Sequence, residues 1–331
     1  MRELVLSALY HGIGEWVSGQ RICDALGCSR AAVWNVVQGL KADGYRIEAS
    51  PKRGYRLRFV PDALEPLFIK QLLGTRLMGR ELVYQTSMPS TNQKARVLAE
   101  FGAPHGTLVL CDEQTAGVGR LGSQWVCAKG MGLLFSLILR PELSMQDTQK
   151  LTMMAALAMA QTLQAEADIT PGIKWPNDII IDGKKVCGIL THLHALGDNV
   201  SDIVLGVGLN VNQTAADIPA DLAHKATSLR IATSSEHSRT PLLVGFCDRF
   251  EVLYDAYLAT RDFGAVIAAY RPYSVTLARD VRIIRPGSEI EGTALYFDDD
   301  GMLVILRRDG VRERVLAGEV HVRGIMGEYD A

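Results

Sequence analysis

The chain has 331 residues, 48% of them hydrophobic, with 35 Lys and Arg against 37 Asp and Glu and a formal charge of −2. That balance excludes disordered and collagen-like chains and allows two or three domains whose cores fold without staples. The longest uncharged stretch, Leu151 to Ala165, holds two Thr and two Gln and falls short of the roughly 20 residues of a spanning helix. No long apolar run follows Arg2 and Glu3 as in a signal peptide, so a cytoplasmic protein with no membrane partner is expected.

Six cysteines (Cys23, Cys28, Cys111, Cys127, Cys187, Cys247) are scattered without a C-x-x-C pair or a neighbouring His at zinc-finger spacing. Reduced, mostly buried thiols and no metal site follow. Residues 1–60 carry nine basic and five acidic side chains, net +4, leaving 26 basic and 32 acidic, net −6, for the rest. The basic end is the candidate for meeting nucleic acid.

In residues 1–60, an apolar segment near Leu4 to Leu9 is followed by the N-cap candidate Ser18, then Ile22, Ala25 and Leu26, then Gly27 and a second cap, Ser29. Val33, Val36, Val37 and Leu40 form one apolar helix face, so Ala31, Trp34, Asn35 and Gln38 point away from the core. Gly44 ends that helix. Tyr45 to Ala49 and Tyr55 to Val60 alternate around Ser50-Pro51-Lys52-Arg53-Gly54, a hairpin with a basic tip. This is a winged helix-turn-helix pattern. It predicts Ser29, Arg30, Ala31, Trp34, Asn35 and Gln38 at a major groove, with Lys52 and Arg53 on phosphates. The alternative is a small helical domain for protein contacts. One module anchors weakly, so a homodimer on two half-sites is expected.

From 66 to 268, strand-like runs (Leu108 to Cys111, Leu133 to Leu139, Ile179 to Ile181, Val186 to Leu190, Ile203 to Val211) alternate with helical ones (Gln93 to Glu100, Thr148 to Leu163, Leu242 to Leu258). An α/β mixed-sheet domain follows. Asp182-Gly183 marks a hairpin, which argues against a doubly wound parallel sheet. Thr148 to Leu163, apolar almost all round, belongs beneath the sheet.

Residues 117–122 read Gly-Val-Gly-Arg-Leu-Gly, which formally fits the dinucleotide fingerprint. That fingerprint requires a helix after the glycines, whereas strand-like Leu133 to Leu139 comes next, so a flexible polar loop is expected. Its backbone amides and Arg120 suit a phosphate or carboxylate. No Walker motif is present. Gly172-Ile173-Lys174-Trp175-Pro176-Asn177-Asp178 places Lys174 at a strand end beside a turn, either facing a pocket or solvated. Gly206-Val207-Gly208-Leu209-Asn210-Val211-Asn212 is a strand with glycines where something approaches the backbone.

Ser90-Thr91-Asn92, the Gln114 to Trp125 loop, Lys174-Trp175-Pro176-Asn177-Asp178, Cys187-Gly188-Ile189-Leu190 and Gly206 to Asn210 occur in the order and spacing of biotin protein ligases. The chain resembles that family throughout. Ser29-Arg30-Ala31-Ala32 looks like the bifunctional bacterial type, both ligase and repressor of biotin synthesis. Gly292, Gly301-Met302-Leu303, Gly310 and Gly318-Glu319-Val320 punctuate short strands from Val275 to Val322, similar to the family's SH3-like carboxy-terminal barrel.

The resemblance implies a class II synthetase-like catalytic domain between the winged helix and a barrel at 272–331. It implies that biotin carboxylate attacks the α-phosphate of ATP, with Mg²⁺ accompanying the nucleotide, and that a lysine of a biotin carboxyl carrier protein then attacks the adenylate. Ser90, Thr91, Asn92 and Gln114 would meet biotin, and Lys174 would sit between carboxylate and α-phosphate. Gly117, Val118, Gly119 and Arg120 would close over the ligand. Trp125 would pack near adenine, with Gly188, Gly206, Gly208 and Asn210 lining the adenylate. Departures stand out: Val118 replaces the family's usual first loop arginine, Leu121 and Ser123 stand where further basic residues are common, and His192 replaces the usual glutamate. His192 and His194 share a strand face but have no third ligand, which favours a structural role. The competing reading is a ligand-sensing repressor that has lost ligase activity. A lipoate ligase would share the fold but lack the winged helix and the Lys174 string.

Overall fold

The computed structural model describes residues 1–10, 12–59, 62, 64–196, 199–285, 288–316, 319–323 and 325–326. Val60 and Gly318, each part of an expected segment, lie outside them. The chain divides into two compact units, Met1–Leu72 and Leu73–Ala331.

The first unit begins with α1 (Arg2–Tyr10), α2 (Gly19–Leu26) and α3 (Arg30–Ala42). Ser18 and Ser29 cap the second and third helices by accepting from Arg21 N and Ala32 N. The hairpin β1 (Arg46–Ser50) and β2 (Gly54–Phe59) follows. Val5, Leu9, Ile22, Val33, Val37, Leu40, Ile47 and Leu57 form its core. Helix α4 (Pro66–Leu72) belongs to this unit: Phe68 packs on Tyr10 with ring centroids 4.3 Å apart.

The second unit runs β3 (Leu82–Met88), α5 (Thr91–Glu100), β4 (Thr107–Gln114), β5 (Gly132–Leu139), α6 (Thr148–Ala167), β6 (Gly172–Lys174), β7 (Asp178–Ile181), β8 (Lys184–Leu196), β9 (Asn199–Asn210), α7 (Leu229–Thr233), α8 (Arg239–Thr260) and α9 (Gly264–Tyr270). Its strands form one mixed sheet in the order β3-β4-β5-β9-β8-β7-β6. Only β3 and β4 are parallel. Helices cover both faces, which is why β5 is buried along its whole length. Leu134 and Ile138 pack with Ala95 and Ala99 of α5, while Phe135 meets Phe246 of α8 edge-on. Helix α6, apolar on nearly all sides, is held between the sheet and α8. Asp182 and Gly183 both take left-handed backbone (φ 49° and 75°), as a tight two-residue hairpin requires.

A second sheet, β10 (Asp280–Arg285), β11 (Ser288–Phe297), β12 (Leu303–Arg307), β13 (Arg312–Val315) and β14 (Glu319–Val322), is antiparallel in the order β13-β12-β11-β10-β14. It falls where the SH3-like barrel was expected and lies in the same compact unit as the seven-stranded sheet. The segment leading into it and its β11–β12 connection grip the end of β6: Val275 N donates to Ile173 O at 3.0 Å, Trp175 N to Thr276 Oγ1 at 2.9 Å and Trp175 Nε1 to Gly301 O at 3.2 Å. Trp175 is buried, and its peptide bond to Pro176 is cis. No described helix is long and apolar enough to cross a membrane.

Candidate functional site

Three glycines lie side by side on the α5 face of the large sheet, because Gly188 pairs with Gly208 and Ser136 with Gly206 across neighbouring strands. A Cβ at Gly206 would stand 2.1 Å from Asn92 Oδ1, and one at Gly208 would stand 2.6 Å from Trp125 Cε2. The missing side chains are therefore what admits Asn92 and the Trp125 ring to the strand backbones. Over this strip opens a cavity of about 540 Å³.

Its polar end is built at the start of α5. Ser90 caps the helix by accepting from Gln93 N at 3.4 Å. Gln114 Oε1 accepts from Thr91 N at 2.7 Å and from the Thr91 hydroxyl at 3.0 Å. The Ser136 hydroxyl lies 2.8 Å from Thr91 Oγ1 and 2.5 Å from Asn92 Oδ1. Ser90, Thr91, Asn92 and Gln114 are thus fixed before any ligand arrives.

The glycine-rich loop is tied to itself by backbone hydrogen bonds. Val118 and Gln124 form an antiparallel bridge, Gly119 N donates to Ser123 O at 2.6 Å, and Trp125 N donates to Gly117 O at 2.9 Å. A 3-10 turn, Arg120–Gly122, closes the tip. No helix follows, in keeping with rejection of the dinucleotide fingerprint. Val118, 52% exposed, lines the cavity. Arg120 does too, and its Nη1 donates to Asn177 Oδ1 at 2.8 Å.

Lys174 is buried, which removes the solvated alternative, and its Nζ reaches Met326 Sδ at 3.5 Å on the cavity wall. A second lysine, which the sequence reading missed, also lines the cavity: Lys185, 2.7 Å from Asp178 Oδ1 and 5.9 Å from the centre of the Trp125 ring. Between β7 and β8 the register passes from Ile179–Cys187 to Ile180–Lys185 and skips Val186. This bulge turns Lys185 onto the face that carries Asp178 and Gly188. Other unpredicted residues in the lining include Asp217 and Lys225, Asn177, whose Nδ2 donates to Ile189 O at 3.2 Å, and Gln213, whose Nε2 donates to Asn210 Oδ1 at 2.8 Å.

Of the residues expected around the ligand, Ser90, Thr91, Asn92, Gln114, Val118, Gly119, Arg120, Trp125, Lys174, Gly188, Gly206, Gly208 and Asn210 all line this one cavity. Gly117 does not; it stands behind, with a Cβ position 2.6 Å from Trp125 O. Loss of solvent pushes the Cys127 thiol up to about 12, which disfavours its thiolate. His194 bonds Asp202 across the ladder at 3.1 Å.

In the first unit, Arg30, Ala31, Trp34 and Asn35 are exposed, Gln38 is half-buried, and Lys52 and Arg53 project from the hairpin tip. Ser29 is committed to its cap, and Arg30 to Gln20 Oε1 at 2.8 Å.

Residues 83–210 match the biotin/lipoate A/B protein ligase family, and residues 2–56 match a helix-turn-helix domain. The bifunctional ligase/repressor BirA of Bacillus spizizenii is 40% identical over 95% of this chain and 96% of its own. The biotin–[acetyl-CoA-carboxylase] ligase of Mycobacterium tuberculosis is 30% identical over 81% of this chain and 99% of its own. The structure of the Aquifex aeolicus biotin protein ligase in complex with biotin and ATP superposes with a TM-score of 0.64 at 27% identity, covering 74% of this chain and 99% of that one. Shared along nearly its whole length, and carrying both the ligase and the helix-turn-helix segments, the chain belongs to the bifunctional ligase/repressor branch of the biotin/lipoate protein ligase family.

Proposed function

We propose that this protein activates biotin with ATP and transfers it to a carrier-protein lysine, and that its amino-terminal unit represses biotin-synthesis genes. The observation that carries the ligase half is one cavity with preset hydrogen-bonding groups at one end and Arg120, Lys174 and Lys185 around it. Biotin's carboxylate oxygen attacks the α-phosphorus, the bond to the bridging oxygen breaks, and pyrophosphate leaves. The carrier amine then attacks the acyl carbon, loses a proton, and AMP departs. Little of this is covalent work for the protein, so positioning and neutralisation of the crowded anions dominate catalysis.

Ser90, Thr91, Asn92 and Gln114 take the biotin end, and the cations take carboxylate and phosphates. Trp125, lying on Gly188 and Gly208, supplies the flat apolar wall. Mg²⁺ would accompany ATP and neutralise phosphate charge, and Asp178 and Asp217, carboxylates on the wall, would be the hard oxygen donors the protein adds. The acceptor is a biotin carboxyl carrier protein and the setting is cytoplasmic. The functional divisions are 1–60 for DNA, 66–268 for catalysis and 272–331 for the carboxy-terminal sheet, with α4 at the start of the second range packing in the amino-terminal unit.

Val118 favours one second reading, a sensor whose ligase activity has decayed, because an exposed apolar side chain stands where a cation would contact the ligand. Biotin-dependent exchange of pyrophosphate into ATP decides: the ligase exchanges with biotin, a lipoate ligase only with lipoate, and a decayed sensor with neither.

A further inference from the structure

On the wing, two arginines share one aromatic ring. Arg53 Cζ sits 4.2 Å from the centre of the Trp16 ring, and Arg56 Cζ sits 4.7 Å from it. The two arginines differ in what else they do. Arg56 pairs with Glu48, so its charge is answered within the hairpin. Arg53 is exposed and, among the described residues, takes part in no hydrogen bond or ion pair. Stacking occupies the face of a guanidinium and leaves its in-plane N–H donors open, the edge that fits a phosphate.

The platform beneath it is rigid. Gly14 N donates to Leu57 O at 2.9 Å, Val17 N to Tyr55 O at 2.8 Å, and Tyr55 N to Val17 O at 2.9 Å, so the segment around Trp16 runs as a partner to β2. Gly54, at φ +94°, presses so close that a Cβ there would stand 2.1 Å from Val17 O. Wing root and tryptophan therefore form one piece.

We propose that Trp16 is a positioning residue for DNA binding: it holds Arg53 with its donor edge presented to a backbone phosphate. Lys52, next to it and equally exposed, has no such support. This inference rests on the reading of the amino-terminal unit as DNA-binding and assigns within it a residue that touches no DNA.

The test is a double-mutant cycle in the full-length protein, using a mixed-sequence DNA duplex at fixed low salt. Trp16→Leu weakens binding about three- to fivefold, the range of an exposed cation–π contact. Trp16→Phe, which keeps a ring face, stays within about twofold of wild type. In an Arg53→Ala background, Trp16→Leu costs nothing further, whereas a tryptophan that merely supports the fold costs the same in both backgrounds. Biotin-dependent exchange is unchanged throughout. Equal losses in the two backgrounds, or no loss with Trp16→Leu, overturn the positioning role alone. A wild-type chain that fails to bind the duplex overturns the DNA reading and this inference together.

Discussion

Lys185 and Asp178 face each other at 2.7 Å across a bulged ladder, while Lys174 lies buried on the next strand but one. Of the three lysines that line the cavity, Lys185 is balanced by a carboxylate and Lys174 reaches a thioether. Both are aimed by backbone rather than by flexible loops.

Alanine at either lysine should slow biotin-dependent exchange by about 10² to 10³-fold, as loss of a preorganised charged donor does. Lys174→Ala within a factor of about three of wild type would remove that residue from the reaction, and the same outcome for Lys185→Ala would reduce its pair with Asp178 to scaffolding. Arg120→Ala should fall in the same range, with the added loss of the bond that fastens the loop to Asn177.

At Val118 the expected change is a gain. Val118→Arg places a guanidinium on the cavity wall and should slow release of the adenylate about tenfold or more, since a charge-assisted hydrogen bond contributes roughly 1.5 to 3 kcal/mol. Stopped-flow release that is unchanged or faster means the residue turns away from the ligand.

Gly206→Ala tests the polar end. The new methyl meets Asn92, itself 2.5 Å from the Ser136 hydroxyl, and overpacking of this kind costs about 1–3 kcal/mol. Biotin affinity measured by calorimetry should fall roughly ten- to a hundredfold, and the melting temperature should drop by about 2–4 °C per kcal/mol of that strain. Unaltered affinity would place biotin elsewhere.

Glu251 predicts a pH dependence of stability. Burial alone would raise its pKa, but the amides of Arg76, Leu77 and Met78, at 2.5, 2.7 and 2.9 Å, hold the carboxyl below its usual range. A depressed folded-state pKa contributes stability that is present above the unfolded value and lost as pH falls through the folded one. Denaturant midpoints should drop on acidification below about pH 4.3, and Glu251→Gln should flatten that drop at a cost of about 2 kcal/mol at neutral pH. Identical acid profiles for the two proteins would refute the assignment.

Coupling between the two activities is testable by sedimentation and operator binding at fixed salt. A ligand shifts assembly only through its differential affinity for monomer and dimer, so biotin plus ATP should tighten both self-association and DNA binding, and unmodified carrier should reverse this. Equal values with and without ligands would end the regulatory reading and leave the ligase intact. Removing residues 1–60 should abolish operator binding.

Much of this was legible in the sequence because local rules agreed with the fold. The Asp182-Gly183 hairpin, the caps Ser18 and Ser29 and the all-apolar helix α6 are short-range signals that tertiary packing reinforced. Strand β3 was not legible: its half-exposed pattern carries no clean alternation, and only its parallel pairing with β4 defines it. Lys185 escaped for a different reason. Alternation along an unbroken strand would set it opposite Gly188, and the extra residue at Val186 cancels that parity. Trp16 lies in a short irregular segment beside β2 with no periodicity, so nothing along the chain pointed to its two arginines.

The grip on Trp175 bears on how such a protein can be assembled from parts. Because Thr276 and Gly301 hold Trp175, next after Lys174, and Val320 of β14 lines the cavity, the carboxy-terminal sheet is a wall of the catalytic chamber rather than an appendix to it. A recombination event that exchanged this sheet for a foreign one would have to reproduce a hydroxyl and a carbonyl at those two points. The amino-terminal unit has its own core and can be inherited or shed; the two sheets must be inherited together.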